Sequence, residues 1–206
     1  MSQGALPSTA SVTPNGSGTV FLDIDGVLCI GKPTACLDLS QKLRQGEPLS
    51  GRELETIFSP VARNALAVVH RRARVARYVI SSSWRELFSR EGMASILVAA
   101  GMSYVADNLA EGDSWKCGPK GDFREREAEI LNWLTTYHQG EPFVVLDDEY
   151  SAGRLNFIHH FPDDILFGRI ALCKPGLGLT LDLVEGIVAA LGRPCTAVGE
   201  AACDPP

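Results

Sequence analysis

The stretch Val20-Phe21-Leu22-Asp23-Ile24-Asp25-Gly26-Val27-Leu28 constrains this chain more than any other. An apolar run that ends in two carboxylates is costly to build for structure alone, because a buried carboxylate without a partner is strongly unfavourable. A strand avoids that cost by carrying the pair at its C-terminal tip. In an open α/β sheet that tip is where ligands bind. Alternation along an extended chain sends Asp23 and Asp25 to the same side. Two carboxylates so placed can share a divalent cation, and oxygen ligands suit Mg²⁺. Gly26 lets the chain turn away sharply after the pair. By itself, Asp-x-Asp-Gly reads equally well as an acidic turn after an edge strand, so the rest of the chain decides.

The length of 206 residues predicts one domain with room for a small insertion. An apolar fraction of 45% is ordinary for a globular chain and supplies a sizeable core. The formal charge of −6 argues against strong non-specific binding to nucleic acid, although a local basic patch remains compatible with it. No apolar run approaches the ~20 residues of a membrane span, and the first residues lack the pattern of a secretory signal. The six cysteines are scattered without a Cys-x-x-Cys pair. Reduced thiols in a cytoplasmic protein are the expectation.

Along the chain, residues 1–18 are rich in Ser, Thr, Gly and Pro and read as a flexible tail. Residues 19–24 form the first strand. Residues 29–59, broken by Pro33, Gly46, Pro48 and Gly51, read as a small flap or cap inserted after the acidic pair, with helical pieces near 37–44 and 51–58. Ser59-Pro60 opens a helix, with serine as N-cap and proline at the first position. Its far end carries Arg71, Arg72, Arg74 and Arg77, read as charge complementing the helix dipole in preference to a nucleic-acid patch. Tyr78-Val79-Ile80 is a second strand running into Ser81-Ser82-Ser83 and a helix from Arg85 to about Ala100; hydroxyls at that junction can face an anion.

Met102–Ala106 reads as a short third strand and 122–137 as a helix. Phe143–Leu146 is a buried strand ending in Asp147-Asp148-Glu149, Gly168–Cys173 a fifth strand, and 180–192 a last helix. Residues 193–206 read as a loose tail. The alternation of strands and helices predicts an α/β fold: a doubly wound, mostly parallel, Rossmann-like sheet of about five strands spanning 19–192. The acidic tips of the first and fourth strands would then meet near the serines. Trp84 and Trp133 read as core residues, and His159-His160 as surface residues with rings pointing apart.

Three elements recur in order at strand ends: Asp23-Ile24-Asp25-Gly26-Val27-Leu28, Ser82-Ser83-Trp84-Arg85, and Asp147-Asp148. With Arg126-Glu127-Ala128-Glu129-Ile130-Leu131-Asn132-Trp133-Leu134 and Gly178-Leu179-Thr180, the set resembles the haloacid dehalogenase (HAD) superfamily of Mg²⁺-dependent phosphohydrolases. It looks most like the small HAD domains associated with Swiss Army Knife RNA-repair proteins.

The resemblance implies that Asp23 is a nucleophile and Asp25 a general acid and base whose carbonyl also meets the metal. It implies that Ser82 binds the phosphoryl group. It places Mg²⁺ on Asp23, Asp25 and Asp148, with Asp147 behind them. The phosphate-binding cation stays open between Arg126, which matches the motif, and Lys120 or Lys116 just upstream; a surface role for Arg126 beside Glu129 weighs about equally. The insertions are too small for a full lid, so an open site taking a bulky phosphorylated substrate, such as a nucleic-acid end, is implied. The competing reading is a catalytically silent HAD-like domain that binds a partner or a phosphorylated ligand. Oligomeric state is not legible in the sequence.

Overall fold

The computed structural model describes residues 18–31, 34–118 and 125–195. Its centre is a four-stranded parallel sheet of β1 (Thr19–Leu22), β2 (Arg77–Ile80), β3 (Phe143–Asp148) and β4 (Ile170–Cys173), in the order β2-β1-β3-β4. Every residue of β1 and β3 is buried. That explains their composition: a parallel strand covered on both faces reads as a continuous apolar run. Thr19 pairs with Arg77 on one side and with Phe143 on the other. The chain therefore steps outward from β1 to β2, then crosses back to β3. The winding reverses between β1 and β3, and the crevice beyond their carboxyl ends is where an open α/β sheet binds ligands.

Two helices, α1 (Ala35–Arg44) and α2 (Gly51–Ile57), fill the segment after β1. Leu39 and Leu54 are fully buried in the common core, and Lys42 Nζ meets Glu53 Oε2 at 2.7 Å. The segment returns where it left: Cys29 bridges Phe58 antiparallel, and Ser59 N donates to Leu28 O at 2.8 Å.

Next comes α3 (Pro60–Ala73), started by Ser59 Oγ accepting from Ala62 N at 3.3 Å. It buries Ala62, Ala65, Leu66 and Val69 and leaves Val61 exposed. At its far end Arg72 pairs with Glu185, and Arg77 at the start of β2 with Glu141. Beyond β2 the chain forms α4 (Arg90–Ala99) and the one-turn helix α5 (Ser103–Ala106). The helix α6 (Arg126–Tyr137) buries Ile130, Trp133 and Leu134, and Trp133 meets Phe21 edge-on at 5.1 Å. The last helix, α7 (Val184–Leu191), is preceded by a 3₁₀ turn at Leu181–Leu183.

Of the five strands expected from the sequence, the third is absent among the described residues. Met102–Ala106 holds α5 instead, stacked on α4. A five-residue apolar stretch fits either state, and its packing beside α4 decides. The helix expected from Arg85 is a 3₁₀ turn, Ser83–Glu86, followed by α4 with Ser89 as N-cap.

The expected start of α6 at 122, most of the N-terminal tail and residues 196–206 lie outside the described residues. Residues 193–195 are held: Arg169 donates to Pro194 O at 2.8 Å, and Cys195 packs on the core. Among the described residues no helix is long and apolar enough to cross a membrane.

Candidate active site

The site starts where β1 stops. Asp23 N still donates to Leu146 O at 3.0 Å, so Asp23 stays in register beside β3. The chain then folds into a single tight turn, with Leu28 N and Cys29 N both reaching Ile24 O at 2.9 Å. Gly26, at φ 74°, donates to Cys29 O at 2.8 Å. Asp23 is left buried at the sheet edge and Asp25 half-buried beside it.

The neighbouring strand brings Asp147 and Asp148. Carboxylate oxygens of Asp23, Asp147 and Asp148 lie within 4.8 Å of one another. A tight turn after β3 steadies them. Asp148 Oδ1 accepts from Tyr150 N at 2.8 Å and from Ser151 N at 3.1 Å, and Asp147 Oδ1 accepts from Asp148 N at 2.9 Å. The Ser151 hydroxyl sits between Asp147 Oδ1, at 2.9 Å, and Asp148 Oδ2, so its single proton serves one or the other.

Arg126, at the first turn of α6, faces this cluster. Its Nη2 is 3.4 Å from Asp23 Oδ1 and its Nε 3.3 Å from Asp147 Oδ2. Its Nη1 is buried without a hydrogen-bond partner among the described residues. Just past β2, Ser82 lies beside the Asp23 carboxylate and favours its charged form. Arg85 fixes that loop from behind: Nη1 donates to Ser81 O at 2.7 Å and Ser82 O at 2.9 Å, and Nη2 meets Glu129 Oε1 at 2.6 Å. Trp84 Nε1 donates to Asp25 Oδ2 at 2.9 Å.

A cavity of about 460 Å³ opens over these groups, lined by Asp23, Asp25, Arg126, Asp148, Ser83 and Tyr150 among others. Its electrostatics are those of crowded acids. Burial, reinforced by the Asp147 charge, raises the Asp23 pKa well above the ordinary carboxylate range, against the pull of Arg126 and Ser82. Burial also raises Asp147 and Asp25, opposed by Arg126 and by the Trp84 hydrogen bond respectively. Burial works against the charge on Arg126, but Asp23 and Asp147 outweigh it and hold the guanidinium above its usual value. One cation does not balance this cluster, and hard carboxylate oxygens are the donors Mg²⁺ takes. The residues fit a divalent ion.

The structure thus brings Asp23, Asp25, Ser82, Arg126, Asp147 and Asp148 together. Asp147 joins the trio of facing carboxylates directly, where the sequence reading set it behind the metal. Arg126 is largely buried against acids, not a surface partner of Glu129. Lys116 lines a different hollow, beside Arg90 and Trp115, and Lys120 lies outside the described residues. His159 and His160 are exposed, as expected, but their rings lie 3.8 Å apart and do not diverge. Sequence reasoning missed Ser151 and the Trp84 contact. A serine three residues after Asp148 is a local turn signal; an indole N–H leaves no trace in a sequence.

A parallel Rossmann-like sheet with an Asp-x-Asp tip on one central strand and an acidic pair on the next defines a HAD-like domain. The family model for the HAD domain in Swiss Army Knife RNA repair proteins matches residues 19–180, and the chain belongs to that family. No curated protein and no solved structure matches the chain. HAD domains are generally hydrolases that use Mg²⁺, and a phosphohydrolase-type function is what membership carries.

Proposed function

We propose that the protein is a Mg²⁺-dependent phosphatase that works through an aspartyl-phosphate on Asp23. The observation that carries this reading is the setting of Asp23: buried at a strand tip, open to the cavity, with Arg126, Ser82 and two further carboxylates around it. Asp23 attacks the phosphorus, and the bond to the leaving oxygen breaks. Asp25 gives that oxygen a proton, then takes one from the water that releases inorganic phosphate and restores the Asp23 carboxylate.

Arg126 Nη1, which lacks a hydrogen-bond partner among the described residues, is a ready donor to a phosphoryl oxygen, with Ser82 beside it. Asp23, Asp148 and Asp147, with the Asp25 carbonyl, would hold Mg²⁺. The ion supplies charge neutralisation on the transferred oxygens. A phosphorylated nucleic-acid end is the substrate class that the family's RNA-repair description supports, and the open cavity suits a bulky ester.

The test is phosphate release from an aryl phosphate, with Mg²⁺ or with EDTA, by wild type and Asp23→Asn. The expected result is Mg²⁺-dependent release that falls on the order of 10³-fold or more in the variant. A screen of 3′- and 5′-phosphorylated oligonucleotides against small phosphates then separates substrates. Folded wild type that releases nothing with any divalent metal, while still binding phosphorylated oligonucleotides, would instead identify a silent binding domain.

A further inference from the structure

We infer that Trp84 is a positioning residue for the proton transfer, setting which oxygen of Asp25 serves the leaving group. This rests on the phosphatase reading above. Trp84 is fully buried, and its ring packs edge-on and tilted between Phe58 at 5.8 Å and Phe88 at 5.7 Å. The indole therefore has one orientation. Its N–H points at Asp25 Oδ2 from 2.9 Å. That N–H is a donor only and accepts no proton. In a carboxylic acid the carbonyl oxygen is the better acceptor, so a fixed donor at Oδ2 keeps that oxygen as the carbonyl. The acidic proton is then carried by Oδ1.

Asp25 needs such a guide. It is half-buried, at the rim of the cavity, with the like charge of Asp148 and the opposite charge of Arg126 both acting on it. Among the described residues, the Trp84 N–H is the hydrogen bond that holds its carboxylate. The anchoring reaches further. Phe58 is the residue at which the inserted segment α1–α2 returns to Cys29, so the same aromatic contact ties Asp25 to the base of that insertion.

When the phosphoryl group passes to Asp23, the bond from phosphorus to the leaving oxygen breaks and that oxygen takes the proton from Oδ1. An alkoxide leaving group requires the proton; a nitrophenolate is stable without it. Trp84 should therefore matter in proportion to the basicity of the leaving group.

The experiment compares wild type and Trp84→Phe with Mg²⁺ on an alkyl phosphate and on 4-nitrophenyl phosphate. The expected result is a fall in kcat/KM, which reports the transfer to Asp23 and not the later attack of water, of about 10-fold or more on the alkyl ester, up to the ~10²–10⁴-fold that general acid catalysis supplies. The kcat/KM for the 4-nitrophenyl ester, whose leaving group needs no proton in that step, should change by less than about 3-fold. In an Asp25→Ala background Trp84→Phe should add nothing.

If Trp84→Phe does not fold, benzothienylalanine placed at position 84 keeps the ring shape and removes only the N–H. Equal loss of kcat/KM on both esters, or a loss that persists without the Asp25 carboxyl, would show that Trp84 only packs, and would overturn the inference while leaving the phosphatase reading intact. A folded wild type inactive on both esters overturns the two together.

Discussion

At the scale of single residues, Gly26 is as constrained as the aspartates around it. Its φ of 74° lies in the left-handed region, and a Cβ there would come within 2.6 Å of Asp148 Cβ and 2.7 Å of its Cγ. The close approach of β1's turn to β3's tip thus depends on a missing side chain. Gly26→Ala is expected to cost about 1–2 kcal/mol from the backbone conformation alone. It should also weaken Mg²⁺ binding at least 10-fold by displacing Asp148. Denaturant unfolding and Mg²⁺ titration calorimetry check the two effects, and unchanged metal affinity would show that Asp148 does not need its present position. Asp23, Asp25 and Asp148 are legible in the sequence because each follows an apolar run, where a carboxylate is too expensive to bury without a task. The choice among Lys116, Lys120 and Arg126 is not, since it depends on which face of α6 meets the sheet. Residue order alone does not say that.

Among elements, the 3₁₀ turn after β2 is held to α6 by one buried ion pair, Arg85 with Glu129, both side chains under a tenth exposed. Arg85 also occupies the carbonyls of Ser81 and Ser82, so it fixes the loop that touches Asp23. Removing one member of a buried pair leaves an uncompensated charge, typically at a cost of about 3–5 kcal/mol. Arg85→Met should destabilise the protein by that order in urea unfolding. The double change Arg85→Met with Glu129→Leu should recover a large part of it. Equal destabilisation in both would mean that the pair is not the cause.

The helix α3 is readable from Ser59-Pro60 because capping and the first-turn proline are local signals. Ser89, the true cap of α4, is masked in the sequence by the nearer Ser81–Ser83 run. The apolar run ending at Ala106 lacks any capping signal, and its helical state follows from contact with α4.

For the whole molecule, the sheet order collects three buried or half-buried acids whose pKa values all lie above those of an unfolded chain. The unfolded state ionises from about pH 4, while these folded groups keep their protons longer. Their contribution to stability is complete below the unfolded value and is lost as pH rises through the folded values. Metal-free protein should therefore gain more from Mg²⁺ at about pH 8 than at about pH 5, because at the higher pH the ion relieves charge that is otherwise uncompensated. Thermal melts in EDTA and in Mg²⁺ at both pH values measure this. A Mg²⁺-induced rise in Tm as large at the lower pH as at the higher would contradict it.

The central place of β1 also bears on how the protein is made. Thr19 pairs with Arg77 early in the chain but with Phe143 only much later. A ribosome adding ~5–20 residues per second leaves the second edge of β1 bare for several seconds after β2 has emerged. During that interval Val20, Phe21 and Leu22 present an apolar strand edge to the crowded cell, the kind of edge other strands adhere to. A chain released before Asp148 would carry Asp23 and Asp25 on an unfinished sheet. Chaperone demand should be concentrated in that window of translation.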